Sequence, residues 1–82
     1  MERKKFQTKD LYLASFLLVR GARLERVDRS NPRRVQFEFR GVDPALIAAY
    51  WRGEAQVAAL PFVEAIRRVK SLIFKDIAWE TS

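Results

Sequence analysis

The residues of this chain that could do chemistry are basic, and they are concentrated near its start. The first 34 residues contain ten arginines and lysines against four carboxylates, which accounts for the whole net charge of +6. The remaining 48 residues are balanced, with six basic and six acidic side chains. Positive potential concentrated in this way attracts phosphate-bearing molecules and raises their association rate. The sequence therefore predicts a polyanionic partner, with nucleic acid, DNA or RNA, as the leading candidate.

The candidate phosphate contacts surround a predicted turn between two strands, with further positive charge in a predicted basic arm at residues 1–7. The predicted nucleic-acid-binding residues are Lys4, Lys5, Arg23, Arg26, Arg29, Arg33 and Arg34. Arg33 and Arg34, which lie in the turn, are the first expected contacts. No recognised base-reading helix or zinc finger accompanies these residues, so contacts to phosphates, independent of base sequence, are expected.

The composition argues against catalysis. The chain has no cysteine and no histidine, which excludes disulfides, thiolate nucleophiles, imidazole bases and nearly all zinc or haem sites. No two carboxylates show metal-ligand spacing, and Ser15, Ser30 and Ser71 lack a general base of the usual kind. We therefore predict a protein that is not an enzyme and that uses no cofactor and no metal.

The longest apolar stretch, Leu11 to Val19, is well short of the roughly 20 residues that a helix needs to span a bilayer. It follows a basic start, as in a signal peptide, but it ends in Arg20 and Arg23 without a small-residue cleavage site. These features predict a cytoplasmic protein without a membrane-bound segment.

The first predicted helix covers residues 11–20. Thr8 is its expected N-cap, Asp10 lies in the first turn, and Gly21 is suited to end the helix in a left-handed conformation. Apolar residues occupy almost every direction around this helix, so one shallow contact could not cover them. The helix is therefore expected either at the centre of the fold or in a dimer interface.

An antiparallel β-hairpin is predicted next. Val35, Phe37 and Phe39 alternate with polar residues, which is typical of a strand with one buried face. The preceding strand, at residues 22–28, has Leu24 and Val27 three positions apart, which requires a bulge if both are to face the core. Aromatic residues on a strand also occur in RNA-recognition domains, but a sheet this small needs Phe37 and Phe39 in its core.

Two more helices complete the prediction. Asp43 as N-cap and Pro44 at the first helical position begin the second helix, which ends before Gly53. Pro61 is expected to open the third helix, whose apolar face contains Phe62, Ile66, Val69 and Ile73.

The predicted fold class is α+β: a helix, an antiparallel β-hairpin and two helices, with the helices packed on one sheet face. A length of 82 residues allows one domain with a modest core. We assign residues 1–7 to a basic flexible arm, residues 8–75 to the domain and residues 76–82 to a C-terminal tail.

The aromatic residues outside the predicted core support an alternative function. Tyr50 and Trp51 are adjacent on the second helix and point about 100° apart, so one neighbouring element cannot bury both equally. With Trp79 in the tail, they are the predicted partner-binding residues. The alternative is therefore a protein-interaction or self-assembly module, such as an inhibitor or accessory subunit, which could form a homodimer or larger homo-oligomer. Salt should weaken phosphate binding steeply and spare an apolar interface.

Several segments carry a resemblance to a known family. They are residues 6–14 (FQTKDLYLA), Gly21, residues 35–39 (VQFEF), residues 50–53 (YWRG) and residues 70–74 (KSLIF). Together they resemble a family of short uncharacterised proteins from phages and bacterial mobile elements, over about residues 6–75. The resemblance implies such a setting and a shared fold. It supplies no catalytic residue, because the family's function is unknown.

Overall fold

A computed structural model of the chain describes residues 5–31 and 33–73. Within these residues, three strands and three helices alternate in the order β1 (Lys5–Thr8), α1 (Leu11–Val19), β2 (Arg23–Asp28), β3 (Gln36–Arg40), α2 (Pro44–Trp51) and α3 (Ala59–Ile73). The strands form one antiparallel sheet, and the predicted α+β class is confirmed. No helix in the described ranges is long and apolar enough to cross a membrane.

The sheet has the order β1-β3-β2, so the predicted strand with alternating apolar residues lies at its centre. Phe39 is paired with Phe6 on β1 and with Leu24 on β2. A bulge between Leu24 and Arg26 shifts the register of β2, and Val27 is consequently paired with Phe37. The bulge that the spacing of Leu24 and Val27 required is thus confirmed.

The first strand corrects the prediction of a flexible arm at residues 1–7. Lys5–Thr8 forms β1 and pairs with β3 along its whole length. The physical reason is Phe6, which joins the buried face of the sheet opposite Phe39, while Lys5 and Gln7 point to the other face. The sheet therefore has one strand more than the predicted hairpin. Residues 1–4, with Lys4, and the predicted tail at 76–82 lie outside the described residues.

Helix α1 is the centre of the fold within a single copy of the chain. Residues 13–17 are all buried, which means that neighbours cover the helix on more than one side. Phe37 and Phe39 of the sheet and Val69 of α3 belong to the same core cluster. The buried Ser15 hydroxyl donates a hydrogen bond of 2.8 Å to the Leu11 carbonyl, so this polar group is satisfied.

The helix ends agree with the predictions in part. Asp43 caps α2 by accepting a hydrogen bond from the Ala45 backbone N–H, and Pro44 begins that helix as predicted. Thr8 is not the N-cap of α1: its hydroxyl oxygen accepts from the backbone N–H of Asp10, and Asp10 is the cap. Helix α3 begins at Ala59 and not at Pro61, because proline is tolerated throughout the first turn, where backbone N–H groups need no helical partner.

Replacement of the cap residue Asp10 by alanine is expected to destabilise the protein by about 1 kcal/mol. The Asp10 carboxylate accepts backbone hydrogen bonds from Tyr12 at 2.8 Å and Leu13 at 3.1 Å, and both donors lose this partner in the variant. Urea unfolding followed by circular dichroism measures the loss. Asp10→Asn is the control, since asparagine supplies an equivalent acceptor; an equal loss in both variants would contradict the capping role.

Candidate nucleic-acid interface

The sheet face opposite the core brings three basic side chains together at one end. Lys5 of β1 and Arg23 of β2 are both paired with Arg40 of β3, so a cation from each strand lies in one row. The sequence analysis included Lys5 and Arg23 and missed Arg40, which belongs to the charge-balanced part of the chain. The signal was present in the alternation of β3, because a buried Phe39 places Arg40 on the opposite face.

Carboxylates offset much of this charge. The Arg40 Nε atom lies 2.9 Å from Glu25 Oε1, without the alignment of a hydrogen bond, and the Lys5 Nζ atom lies 3.7 Å from Glu38 Oε2. Arg26 is also paired in register with Glu38. The outer sheet face is therefore of mixed charge and is the weaker candidate for binding a polyanion.

The turn between β2 and β3 is ordered by two acidic or amide side chains that bond to the backbone. Asp28 accepts from the Ser30 N–H at 2.9 Å, and Asn31 accepts from the Arg33 N–H at 3.0 Å. The hydrogen bonds from Ser30 hold the pKa of the Asp28 carboxyl below its ordinary value, and the charge of Arg26 adds to this shift. Such side-chain turns fix the backbone that carries Arg33 and Arg34.

Arg29, another predicted phosphate contact, makes a structural contact. Its Nε–H donates a hydrogen bond of 2.9 Å to the backbone carbonyl of Leu72, in the last turn of α3. A cation is favourable there, because the carbonyl groups at the C-terminal end of a helix carry partial negative charge. Arg29 therefore joins the turn to α3 across 43 residues of chain, and a role in binding nucleic acid stays a prediction.

Three basic side chains surround a concave surface beside the turn, which we call the basic basin. Its volume is about 360 Å³, and it is lined by Lys9, Arg33, Arg34, Val35 and Ile73. The described part of this lining contains no acidic side chain. None of the three ion pairs among residues 5–31 and 33–73 involves Lys9, Arg33 or Arg34. The basin is thus the strongest concentration of unneutralised positive charge in the described structure.

A second concave surface, of about 440 Å³, adjoins the carboxyl end of β1, and we call it the aromatic groove. Phe6, Thr8, Leu13 and Trp51 contribute to its lining, together with Lys9, which also lines the basic basin. The sequence analysis counted Lys9 in the charge of the chain and did not place it in a site. Recognising β1 would have placed it, because Lys9 directly follows that strand.

Tyr50 and Trp51 differ in burial, as their adjacent helical positions required. Tyr50 is partly buried, with its ring centroid 5.5 Å from that of the buried Phe16, while Trp51 is 63% exposed. Burial raises the pKa of the Tyr50 hydroxyl, and the nearby charge of Asp10 adds to the shift, so Tyr50 is neutral at physiological pH. Trp79, the third predicted partner-binding residue, lies outside the described residues.

The structure thus divides the predicted basic residues into separate groups. Arg33 and Arg34 lie in the basic basin, whereas Lys5, Arg23 and Arg26 lie on the outer sheet face. In the described ranges, no three acidic side chains come close enough together to hold a metal ion.

The chain is a small α+β domain in which a buried central helix lies between a three-stranded antiparallel sheet and a C-terminal helix, with a basic basin beside the sheet. Residues 3–75 match the family described as a domain of unknown function, DUF5659, and the chain belongs to this family. No curated protein and no solved structure matches the chain. The predicted resemblance to an uncharacterised family is therefore confirmed at the level of the family.

Proposed function

We propose that the protein binds nucleic acid through contacts to phosphates, with Lys9, Arg33 and Arg34 as the first contacts. One observation carries the proposal: these three cations, from two separate chain segments, surround a single concave surface whose described lining has no carboxylate. Arginine can bind phosphate oxygens with two parallel hydrogen bonds, and lysine adds a point charge. Such contacts hold a backbone without reading its bases.

The proposal describes a binding protein and not an enzyme. The charge asymmetry of the sequence supports it, since the basin residues belong to the first 34 residues, which carry the entire net charge. We further propose that the protein acts in the cytoplasm as an accessory protein of a phage or bacterial mobile element. The resemblance described above supports this setting, and nucleic acid is abundant there as a ligand.

The double variant Arg33→Ala/Arg34→Ala tests the proposal. We expect it to weaken binding at every base sequence and to lower the slope of log affinity against log salt concentration by about 1.5–2, because two phosphate contacts are lost. Fluorescence anisotropy with labelled oligonucleotides, at low and at physiological salt, measures both effects.

The matched control is Arg67→Ala/Arg68→Ala, which removes the same charge from exposed positions on α3. It should retain most of the affinity and most of the salt slope. Equal losses in the two double variants would show that net charge alone governs binding. Absence of binding by the unchanged protein at low salt would refute the proposed function.

A protein-binding module is the second candidate, and exposed apolar residues on α3 favour it. Leu60 is 67% and Val63 is 41% exposed, and they lie one turn apart on the helix. An apolar contact of this kind persists as salt rises, whereas phosphate binding weakens. The salt titration above therefore separates the two candidates.

A further inference from the structure

The basic basin and the aromatic groove form one continuous surface, because Lys9 lines both. On one side of Lys9 lie the guanidinium groups of Arg33 and Arg34, and on the other side lies Trp51. A ligand that crosses Lys9 therefore meets positive charge at one end and an aromatic ring at the other.

Trp51 is held as a fixed platform. Its ring meets that of Tyr50 in a T-shaped arrangement, with centroids 5.1 Å apart and an interplanar angle of 86°. Tyr50 in turn packs on Phe16, which belongs to the buried core. In a T-shaped pair at most one face of the indole is covered by Tyr50, whichever ring supplies the edge. The 63% exposure of Trp51 therefore leaves at least one face available for stacking.

We propose that the ligand is single-stranded nucleic acid, with one base stacked on Trp51 and neighbouring phosphates bound by Lys9, Arg33 and Arg34. This inference rests on the proposed function and specifies its ligand. Charge complementarity selects a polyanion for the surface, and the exposed indole selects one whose bases are free to stack. In a duplex, the bases are paired and stacked on one another, so only its phosphates would be available. DNA and RNA strands share this chemistry.

The test compares a labelled single strand, DNA or RNA, with a duplex of the same sequence, by anisotropy on the full chain. We expect tighter binding of the single strand. Trp51→Ala should weaken single-strand binding by about five- to one-hundred-fold, the range found when one stacking aromatic is removed, and leave duplex binding unchanged. Trp51→Phe should recover most of the affinity, because phenylalanine also offers a flat ring.

Tryptophan fluorescence supplies an independent readout. The chain has two tryptophans, so Trp79→Phe leaves Trp51 as the only one and Trp51→Phe leaves only Trp79. A single strand should quench the fluorescence of the Trp79→Phe protein strongly and that of the Trp51→Phe protein weakly. The reverse pattern would assign stacking to Trp79 and overturn the role of Trp51.

The outcomes separate this inference from the proposed function. Equal affinity for single strand and duplex, or unchanged single-strand binding by Trp51→Ala, overturns the inference. The proposed function then still stands if Arg33→Ala/Arg34→Ala lowers affinity and the salt slope. If neither nucleic acid binds at low salt, both fall. If only self-association is seen and Trp51→Ala abolishes it, the surface is a protein interface and the inference is overturned.

Discussion

Replacement of Phe37 by alanine is expected to remove about 3–5 kcal/mol from the free energy of unfolding. Phe37 is completely buried on the central strand, with Thr8 of β1 paired on one side and Val27 of β2 on the other. Truncation leaves a cavity at the point where the sheet packs beneath α1. Domains are typically stable by about 5–15 kcal/mol, so the loss would take a large part of the stability of this one.

Urea unfolding followed by circular dichroism measures the effect of Phe37→Ala. Phe37→Leu is the matched control, because it preserves most of the side-chain volume and should cost less than about 1.5 kcal/mol. A wild-type midpoint for Phe37→Ala would show that the β3 side chains do not form the core. The sheet face assigned to Phe37 and Phe39 would then be wrong.

Much of the core could be predicted from sequence because its signals are local. The alternation in residues 35–40 identified the central strand and its buried face, and the nearly uniform apolar character of α1 predicted a central helix. Asp43 and Pro44 identified the start of α2, since capping and the fixed φ of proline act over a few residues. Each of these features depends on neighbours within one or two turns of chain.

Strand β1 could not be predicted, because its evidence is not local. Its four residues contain one apolar side chain, Phe6, which is too little alternation to distinguish a strand from a loop. It is a strand because Phe6 gains burial beside Phe39, which lies 33 residues further along the chain. The cap of α1 was misplaced for a different reason: Thr8 and Asp10 are both good cap residues, and only the backbone path selects Asp10.

The candidate site shows the same division. Charge counting located the turn with Arg33 and Arg34, but Lys9 joins them only because β1 pairs with β3. Arg40 likewise meets Lys5 and Arg23 through strand pairing. Composition cannot show which cations a carboxylate neutralises, and the structure shows this for Lys5 and Arg40. Sequence thus predicted the sign of the surface and not its arrangement.

Binding and stability depend on separate residues in this structure. Lys9, Arg33, Arg34 and Trp51 are all exposed, whereas the core consists of other side chains from α1, β3 and α3. Surface substitutions away from caps and buried contacts usually change stability by less than about 0.5 kcal/mol. Loss of binding in the basin or groove variants can therefore be attributed to the surface, once their unfolding midpoints match that of the unchanged protein.

Leu17→Ala is expected to have the second large effect on stability, about 2–5 kcal/mol. Leu17 is completely buried on α1, the helix that both the sheet and α3 cover. Its loss should loosen both contacts at once. The matched control is the same substitution at Leu60, which is 67% exposed and should change stability by less than about 0.5 kcal/mol.

Unfolding of both leucine variants in urea, at low protein concentration, gives the comparison, because dilution suppresses any self-association through Leu60. The two substitutions remove the same atoms, so the difference in unfolding free energy reports burial and the cavity alone. Similar small losses would place α1 at the surface of the monomer, as a helix in a dimer interface would be. A large loss at Leu17 alone requires that one chain covers α1, since no second copy is needed to bury it.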